Sequence, residues 1–162
     1  MLPVILKHPL RGLGGFGLRI VLQRVKHAQV TVDGKVTGSI NSGILVFLAV
    51  HKDDTAAQAD HLAEKCAALR IFADPSGKMN RSLAETGGQA LIVSQFTLYG
   101  DCSKGRRPSF TDAADPVKGN ELYRYFVDTM KTLCGSVETG VFGAMMDVEL
   151  VNDGPVTFVL DA

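Results

Sequence analysis

The run Ile44–Val50 constrains the fold of this chain more than any other segment, because every residue in it is apolar. A strand with one solvated face alternates apolar and polar side chains, whereas a strand covered on both faces is apolar throughout. The length of the run is typical of a strand. It therefore predicts a strand in the interior of a sheet.

A β-hairpin is predicted ahead of this run. Ile20–Val25 and Ala28–Val32 are rich in β-branched residues, as strands are. Asp33-Gly34 is a strong hairpin-turn signal, and Val36–Ile40 follows it as the returning strand. A second turn then leads the chain into the apolar run.

Two amphipathic helices are predicted after this strand, each with a start signal. Thr55 and Gln58 form a capping box ahead of the first, and Asp115-Pro116 places a capping carboxylate before a proline in the second. Apolar residues recur at spacings of three and four in both segments, which predicts one buried stripe per helix. The stripes are Ala59, Leu62, Cys66 and Leu69 in the first helix and Leu122, Phe126, Met130 and Leu133 in the second. Gly135 is placed to end the second helix.

The remaining apolar runs are predicted strands. One lies between the helices and three lie at the C-terminus: Gln89–Val93, Val137–Thr139, Met145–Val151 and Val156–Leu160. The order is thus a β-hairpin, two β-α units and three C-terminal strands. We predict a single layered α/β domain with its helices on one side of the sheet.

Charge and cysteine content narrow the class of protein. The chain has 17 basic and 17 acidic residues, so no overall field attracts it to nucleic acid or to a membrane surface, and any RNA contact must be local. Three widely spaced cysteines argue against a disulfide framework and for the reducing cytoplasm. The four histidines do not pair with cysteines or carboxylates at metal-ligand spacing. We therefore predict no metal and no cofactor.

The segment Met1–Gly17 is predicted to be a non-core N-terminal extension, with the domain spanning 18–162. Its apolar run Leu2–Leu6 is too short to cross a membrane, and it lacks the pattern of a secretory signal. Either an upstream start site or a poorly ordered tail would account for it.

The first candidate motif, Ser94-Gln95-Phe96-Thr97, directly follows an apolar run. Hydroxyl, amide and backbone N–H groups at a strand end can hold a carbonyl and stabilise its oxyanion. Thr97 could instead be a nucleophile, but a hydroxyl needs an adjacent base, and no histidine lies within thirty residues before it or after Asp101. The motif could also simply end a strand.

The second candidate motif, Asn152–Thr157, interrupts another apolar stretch. Gly154 has no Cβ, so a ligand can approach its backbone closely, and Pro155 is rigid and permits a cis bond. Such a pair could exclude one face of a substrate by sterics. It could equally be an ordinary hairpin loop.

Together the two motifs resemble those of the D-aminoacyl-tRNA deacylase family. Three further segments are similar to that family: Leu18–Val25, Lys78–Leu83 and Arg106–Phe110. The resemblance covers Leu18 to Ala162 and implies a D-aminoacyl-tRNA deacylase-like fold. It implies a hydrolase of carboxylic ester bonds that releases free D-amino acid and tRNA, a proofreading step in translation.

The resemblance also implies roles for individual residues. Ser94, Gln95, Phe96 and Thr97 would position the ester and stabilise the oxyanion, with the 2′-hydroxyl of the RNA assisting attack. Gly154 and Pro155, in cis, would reject L-amino acids from within the partner's site in a homodimer, while accepting glycyl-tRNA. The supporting residues would be Arg24, which orients this loop, with Asn152 and Thr157.

The basic cluster Lys104, Arg106 and Arg107 is the candidate contact for acceptor-stem phosphates, or else a solvated charged loop. The partners expected are tRNA and a second copy of the chain, with no DNA and no membrane. Two other functions stay open on sequence. One is a hydrolase of small D-amino-acid esters with Thr97 as nucleophile, and the other is a non-catalytic RNA-binding module.

Overall fold

A computed structural model describes residues 17–162 and has the predicted α/β class. Its strands are Arg19–Val32 (β1), Lys35–Ile40 (β2), Gly43–Ala49 (β3), Phe72–Ala73 (β4), Met79–Arg81 (β5), Gln89–Ser94 (β6), Val137–Thr139 (β7) and Asp147–Asp161 (β8). Its helices are Ala56–Ala68 (α1), Leu83–Thr86 (α2) and Pro116–Cys134 (α3), with a 3-10 turn at Phe96–Tyr99. The predicted extension Met1–Gly17 lies outside the described residues apart from Gly17.

The long strand β1 organises the sheet. Its first half pairs antiparallel with β3 and its second half with β2, while β8 runs antiparallel along its other side. Beyond β3 the sheet continues in parallel through β6 to β7. The parallel strands β3 and β6 therefore end at the same edge, where sheets of this kind bind ligands.

Each face of the sheet has its own apolar core, which confirms the prediction made from the all-apolar run. Ile44, Val46 and Leu48 of β3 point into the core that includes buried residues of α1 and α3. Leu45 points into a second core, against which Phe47 also packs. That core is built by the far half of β1 together with β2 and β6, and by the first half of β8.

The predicted helix signals are used as expected. The side chain of Gln58 accepts a hydrogen bond of 2.9 Å from the Thr55 N–H, and Asp115 accepts from the N–H groups of Val117 and Lys118. Gly135 ends α3 with φ +79°. One stripe residue is wrong: Leu133 is 36% exposed, because Cys134 packs against the core at the end of this helix instead.

The strand count differs from the prediction in two places. Ile20–Val25 and Ala28–Val32 are one strand, and the predicted strands Met145–Val151 and Val156–Leu160 are joined in β8. The C-terminus thus has two strands and not three, because β8 pairs with β1 before Gly154-Pro155 and pairs with it again after them. The short elements β4, β5 and α2 were not predicted, since each is too brief to carry a periodic pattern.

Candidate active site

The first motif lies where β6 ends. Ser94 is the last residue of β6, and the Gln95 N–H donates to Leu48 O of the parallel neighbour at 2.7 Å. The chain then enters the 3-10 turn, whose first internal hydrogen bond runs from Leu98 N–H to Gln95 O at 3.2 Å. The N–H groups of Phe96 and Thr97 precede that bond, at the end of the turn where backbone donors are free for a ligand.

The first two side chains of this turn face outward, whereas that of Tyr99 is buried. Phe96 is 58% exposed and Thr97 is also exposed. The Thr97 hydroxyl accepts a hydrogen bond from the Gln95 side-chain amide, within the turn itself. Among the described residues, no histidine or carboxylate is hydrogen-bonded to Thr97. The arrangement offers donors to a carbonyl oxygen but gives this hydroxyl no base.

A cavity of about 360 Å³ opens beside this turn, and its lining is largely aromatic and aliphatic. Ser94 and Phe96 border it together with aromatic residues from three other segments: Phe110, Tyr123 and Phe142. Tyr123 is fixed by a 2.7 Å hydrogen bond to Ile92 O, and burial raises the pKa of its phenol to about 12. Among the described residues that line the cavity, Asp115 alone is charged. The cavity therefore suits a flat uncharged group better than a phosphate.

Three aromatic lining residues, Phe110, Tyr123 and Phe142, were not among the predicted site residues. Tyr123 lies on the buried face of α3, where an aromatic side chain is read as core. Phe142 lies in the short segment Gly140–Gly143 and carries no motif of its own. Phe110 ends a segment that resembles the family, and this was the one signal that could have identified it.

The basic cluster lies on a loop beside the cavity. Asp101 and Ser109 close the loop with two backbone hydrogen bonds of 2.7 and 3.0 Å. Lys104, Arg106 and Arg107 are all exposed between them. Phe110 follows directly and packs edge-on against Phe96, with ring centroids 5.2 Å apart. The loop thus extends from the rim of the cavity.

The second motif is a bulge within β8. Val25 pairs with Asn152 and Gln23 with Thr157, so Arg24 alone lies opposite the four residues between them. The Gly154–Pro155 peptide bond is cis. The side chain of Asn152 donates to Arg24 O at 2.9 Å and to Val156 O at 3.1 Å, bracing the bulge from within. At the C-terminal end of the bulge, the Thr157 hydroxyl accepts a hydrogen bond of 3.2 Å from the side-chain amide of Gln23.

Arg24 contacts both this bulge and the segment just before β4. Its Nε lies 3.0 Å from the Asp153 carboxylate and 3.2 Å from the Asp153 carbonyl oxygen. Its Nη1 donates to Ile71 O, just before β4. With 14% of its side chain exposed, Arg24 is largely buried, and a buried guanidinium with several partners holds them in fixed geometry.

The two motifs do not meet within one chain. The bulge lies in the row of Arg24, Ile44 and Ala90, at the start of β6, whereas Ser94 ends that strand. Three strand spacings, about 14 Å, also separate β8 from β6 across the sheet. One chain therefore places Gly154 and Pro155 away from its own Ser94–Thr97.

Two other findings concern the described residues as a whole. Within 17–162, no three side chains of His, Cys, Asp or Glu are grouped so that they could hold a metal ion. No helix in that part of the chain is long and apolar enough to cross a membrane. Cys66 is 1% exposed, and burial raises the pKa of its thiol to about 12, so it is a core residue as predicted.

Comparisons with known proteins agree with the resemblance. The family model described as D-Tyr-tRNA(Tyr) deacylase matches residues 21–161. A D-aminoacyl-tRNA deacylase of Desulfatibacillum aliphaticivorans is 56% identical over 90% of this chain and 99% of its own length. That of Thermomicrobium roseum is 57% identical over 90% of this chain and 94% of its own.

Two solved structures share the fold. The c-Myc DNA unwinding element binding protein superimposes with a TM-score of 0.84, at 36% identity, over 89% of this chain and 98% of that one. A probable eukaryotic D-amino acid tRNA deacylase superimposes with a TM-score of 0.78 over 90% of this chain and 99% of that one. At 22% identity, the second likeness concerns the fold alone.

Proposed function

The chain belongs to the D-aminoacyl-tRNA deacylase family, enzymes that hydrolyse the ester bond between an amino acid and tRNA, and from this we propose its substrate choice and mechanism. It removes D-amino acids, and also glycine, from mischarged tRNA in the cytoplasm. It thereby contributes to translation quality control and D-amino acid catabolism. L-aminoacyl-tRNA is rejected.

The observation that carries the mechanism is the hydrogen bonding of Thr97. Its hydroxyl is paired with the Gln95 amide, and no described histidine or carboxylate is bonded to it. A threonine without a base is a poor nucleophile at neutral pH. The 2′-hydroxyl of the terminal ribose lies next to the ester in the substrate and assists attack in its place. Ser94, Gln95, Phe96 and Thr97 then orient the carbonyl and donate to the oxyanion, mainly through backbone N–H groups.

The cavity beside the turn receives the terminal adenine. Its volume of about 360 Å³ lies within the range of small-molecule sites, and its aromatic walls suit a base. Proteins hold unpaired RNA bases by stacking them on aromatic side chains. With the base in the cavity, the ribose and its ester lie against the turn that begins at Ser94.

Chirality is read by a second copy of the chain. Gly154 and Pro155 are distant from Ser94–Thr97 within one chain, so they act on the partner's substrate in a homodimer. Among the described strands, β8 pairs only with β1, and Val151 and Val159 are exposed along it by 41% and 64%. An unpaired strand edge with apolar side chains is a surface that a partner copy covers.

Selection by this pair is steric. The backbone of Gly154 and Pro155 leaves room for a hydrogen on the α-carbon but not for the side chain of an L-amino acid. Glycine has no side chain to exclude, so glycyl-tRNA is also a substrate. Lys104, Arg106 and Arg107 contact phosphates of the acceptor stem near the cavity rim.

Deacylation of matched D-tyrosyl-, L-tyrosyl- and glycyl-tRNA tests this proposal. We expect D-tyrosyl- and glycyl-tRNA to be hydrolysed with turnover, and L-tyrosyl-tRNA at least about 100-fold more slowly, a difference of about 2.7 kcal/mol. Equal rates on D- and L-tyrosyl-tRNA would exclude steric selection. Tight binding without release of amino acid would instead favour a non-catalytic RNA-binding module.

A further inference from the structure

We propose that Arg19 is a positioning residue for this reaction. It contacts Leu98 and Tyr99, the second half of the 3-10 turn, and thereby positions Phe96 and Thr97 in the first half. Its role rests on the proposed function of that turn. Arg19 begins β1 and touches no substrate group in the arrangement above. It fixes the turn from behind.

The side chain of Arg19 makes three contacts, two with the turn and one with the end of β8. Its Nη1 donates to Leu98 O, inside the turn, at 3.3 Å. Its guanidinium lies over the ring of Tyr99, the last residue of the turn, at 5.3 Å from the ring centroid. Its Nε lies 2.7 Å from the carboxylate of Asp161 at the end of β8. One planar side chain thus ties the turn to two strand ends.

Tyr99 is held firmly on its own account. It is 6% exposed, its hydroxyl donates to Gly17 O, and the His51 ring packs against it with centroids 5.4 Å apart. Burial raises the pKa of this phenol, so it remains a hydrogen-bond donor throughout the neutral range. The Tyr99 ring is therefore a fixed platform on which Arg19 rests.

A shift at Leu98 would reach the reacting groups at once. The Leu98 N–H bonds to Gln95 O, and the Gly100 N–H bonds to Thr97 O at 2.9 Å, so the turn moves as one piece. Phe96 and Thr97, whose N–H groups are the proposed donors to the oxyanion, lie inside that piece. Misplacement of reacting groups by about 1 Å can cost about 100-fold in rate. The carbonyl contact of Arg19 is therefore linked to catalysis and not only to stability.

Arg19→Ala tests the proposal in single-turnover deacylation of D-tyrosyl-tRNA, with the Kd for the substrate measured separately. We expect the rate to fall 10- to 100-fold while the Kd stays within twofold of wild type. Arg19→Lys retains the charge beside Asp161 but lacks the planar fork that also reaches Leu98, so an intermediate rate is expected. Lys131→Ala removes another exposed ion pair, with Asp128 at 3.5 Å on α3, and should react at the wild-type rate.

Three results would overturn the role of Arg19. One is an Arg19→Ala rate within twofold of wild type. Another is a loss confined to Kd, and the third is a loss accounted for by a smaller folded fraction on thermal unfolding. Failure of the wild-type protein to deacylate D-tyrosyl-tRNA would contradict the proposed function itself, a separate outcome in the same assay.

Discussion

Arg24 contacts Asp153 twice, at its carboxylate 3.0 Å away and at its carbonyl oxygen 3.2 Å away. Asp153 directly precedes Gly154, so the guanidinium binds the first residue of the bulge proposed to select chirality. The side chain also donates a hydrogen bond to Ile71 O, which links the bulge to a segment outside β1 and β8. Arg24 thus holds the residue next to Gly154, and we propose that it orients the selector without touching the substrate itself.

Arg24→Ala is expected to weaken chiral discrimination more than catalysis. Without the guanidinium, Asp153 and the bulge lose their fixed position, and an L side chain meets a softer barrier. We expect the ratio of L- to D-tyrosyl-tRNA deacylation to rise about tenfold, equivalent to about 1.4 kcal/mol. The matched control is Arg124→Ala, which removes an exposed arginine of α3. An unchanged ratio with an intact fold would show that Arg24 does not orient the selector.

Thr97→Ala separates positioning from covalent catalysis. If Thr97 is one of several donors, its loss should reduce the single-turnover rate by less than about 10³-fold and leave binding intact. Removal of a covalent nucleophile should reduce the rate by more than this. A loss above that limit, with unchanged Kd, would therefore favour a Thr97 hydrolase, and such an enzyme should also cleave a small D-tyrosine ester.

A tRNA ending in 2′-deoxyadenosine addresses the same question from the substrate side. Its ester must sit on the 3′-oxygen, and the neighbouring hydroxyl is missing. We expect D-tyrosyl-tRNA of this kind to bind normally and to be almost inert in single turnover. Deacylation at the rate of the ribose form would mean that a protein group, and not the RNA, assists the attack.

Arg106→Ala with Arg107→Ala should weaken binding of every tRNA alike. Both side chains are exposed on the loop closed by Asp101 and Ser109, where phosphates can reach them. Each phosphate contact contributes about one unit to the slope of log K against log salt. We expect the double variant to lower that slope by about two. A loss restricted to one tRNA species would point to base recognition and contradict the phosphate assignment.

The parts of the fold predicted from sequence are those set by local chemistry. The apolar character of Ile44–Val50 reflects burial on both faces, and the capping residues Thr55 and Asp115 act through groups within one turn of the chain. The sequence predicts two strands in place of β8, because Gly154-Pro155 has the local pattern of a turn. Its continuity comes from pairing with Gln23 and Val25, more than a hundred residues earlier, which no local pattern records.

The site was partly predictable for a similar reason. Ser94–Thr97 and Asn152–Thr157 stand out as polar interruptions in apolar runs. Arg19 does not, because a charge at the start of a strand is ordinary until its contacts with Leu98 and Asp161 are known. Tyr123 likewise has the pattern of a core residue, although its ring also lines the cavity.

Two glycines at α3 should respond in opposite ways to alanine. Gly119 lies inside the helix, where glycine costs about 0.5–1 kcal/mol relative to alanine, and an added Cβ would lie 3.5 Å from the Phe142 ring, an ordinary contact. Gly119→Ala should therefore raise the free energy of unfolding by about that amount. Gly135 has φ +79°, a conformation that a Cβ disfavours, so Gly135→Ala should lower it. Urea unfolding of both variants measures the two changes, and destabilisation by Gly119→Ala would mean that the Phe142 ring cannot accommodate the methyl group.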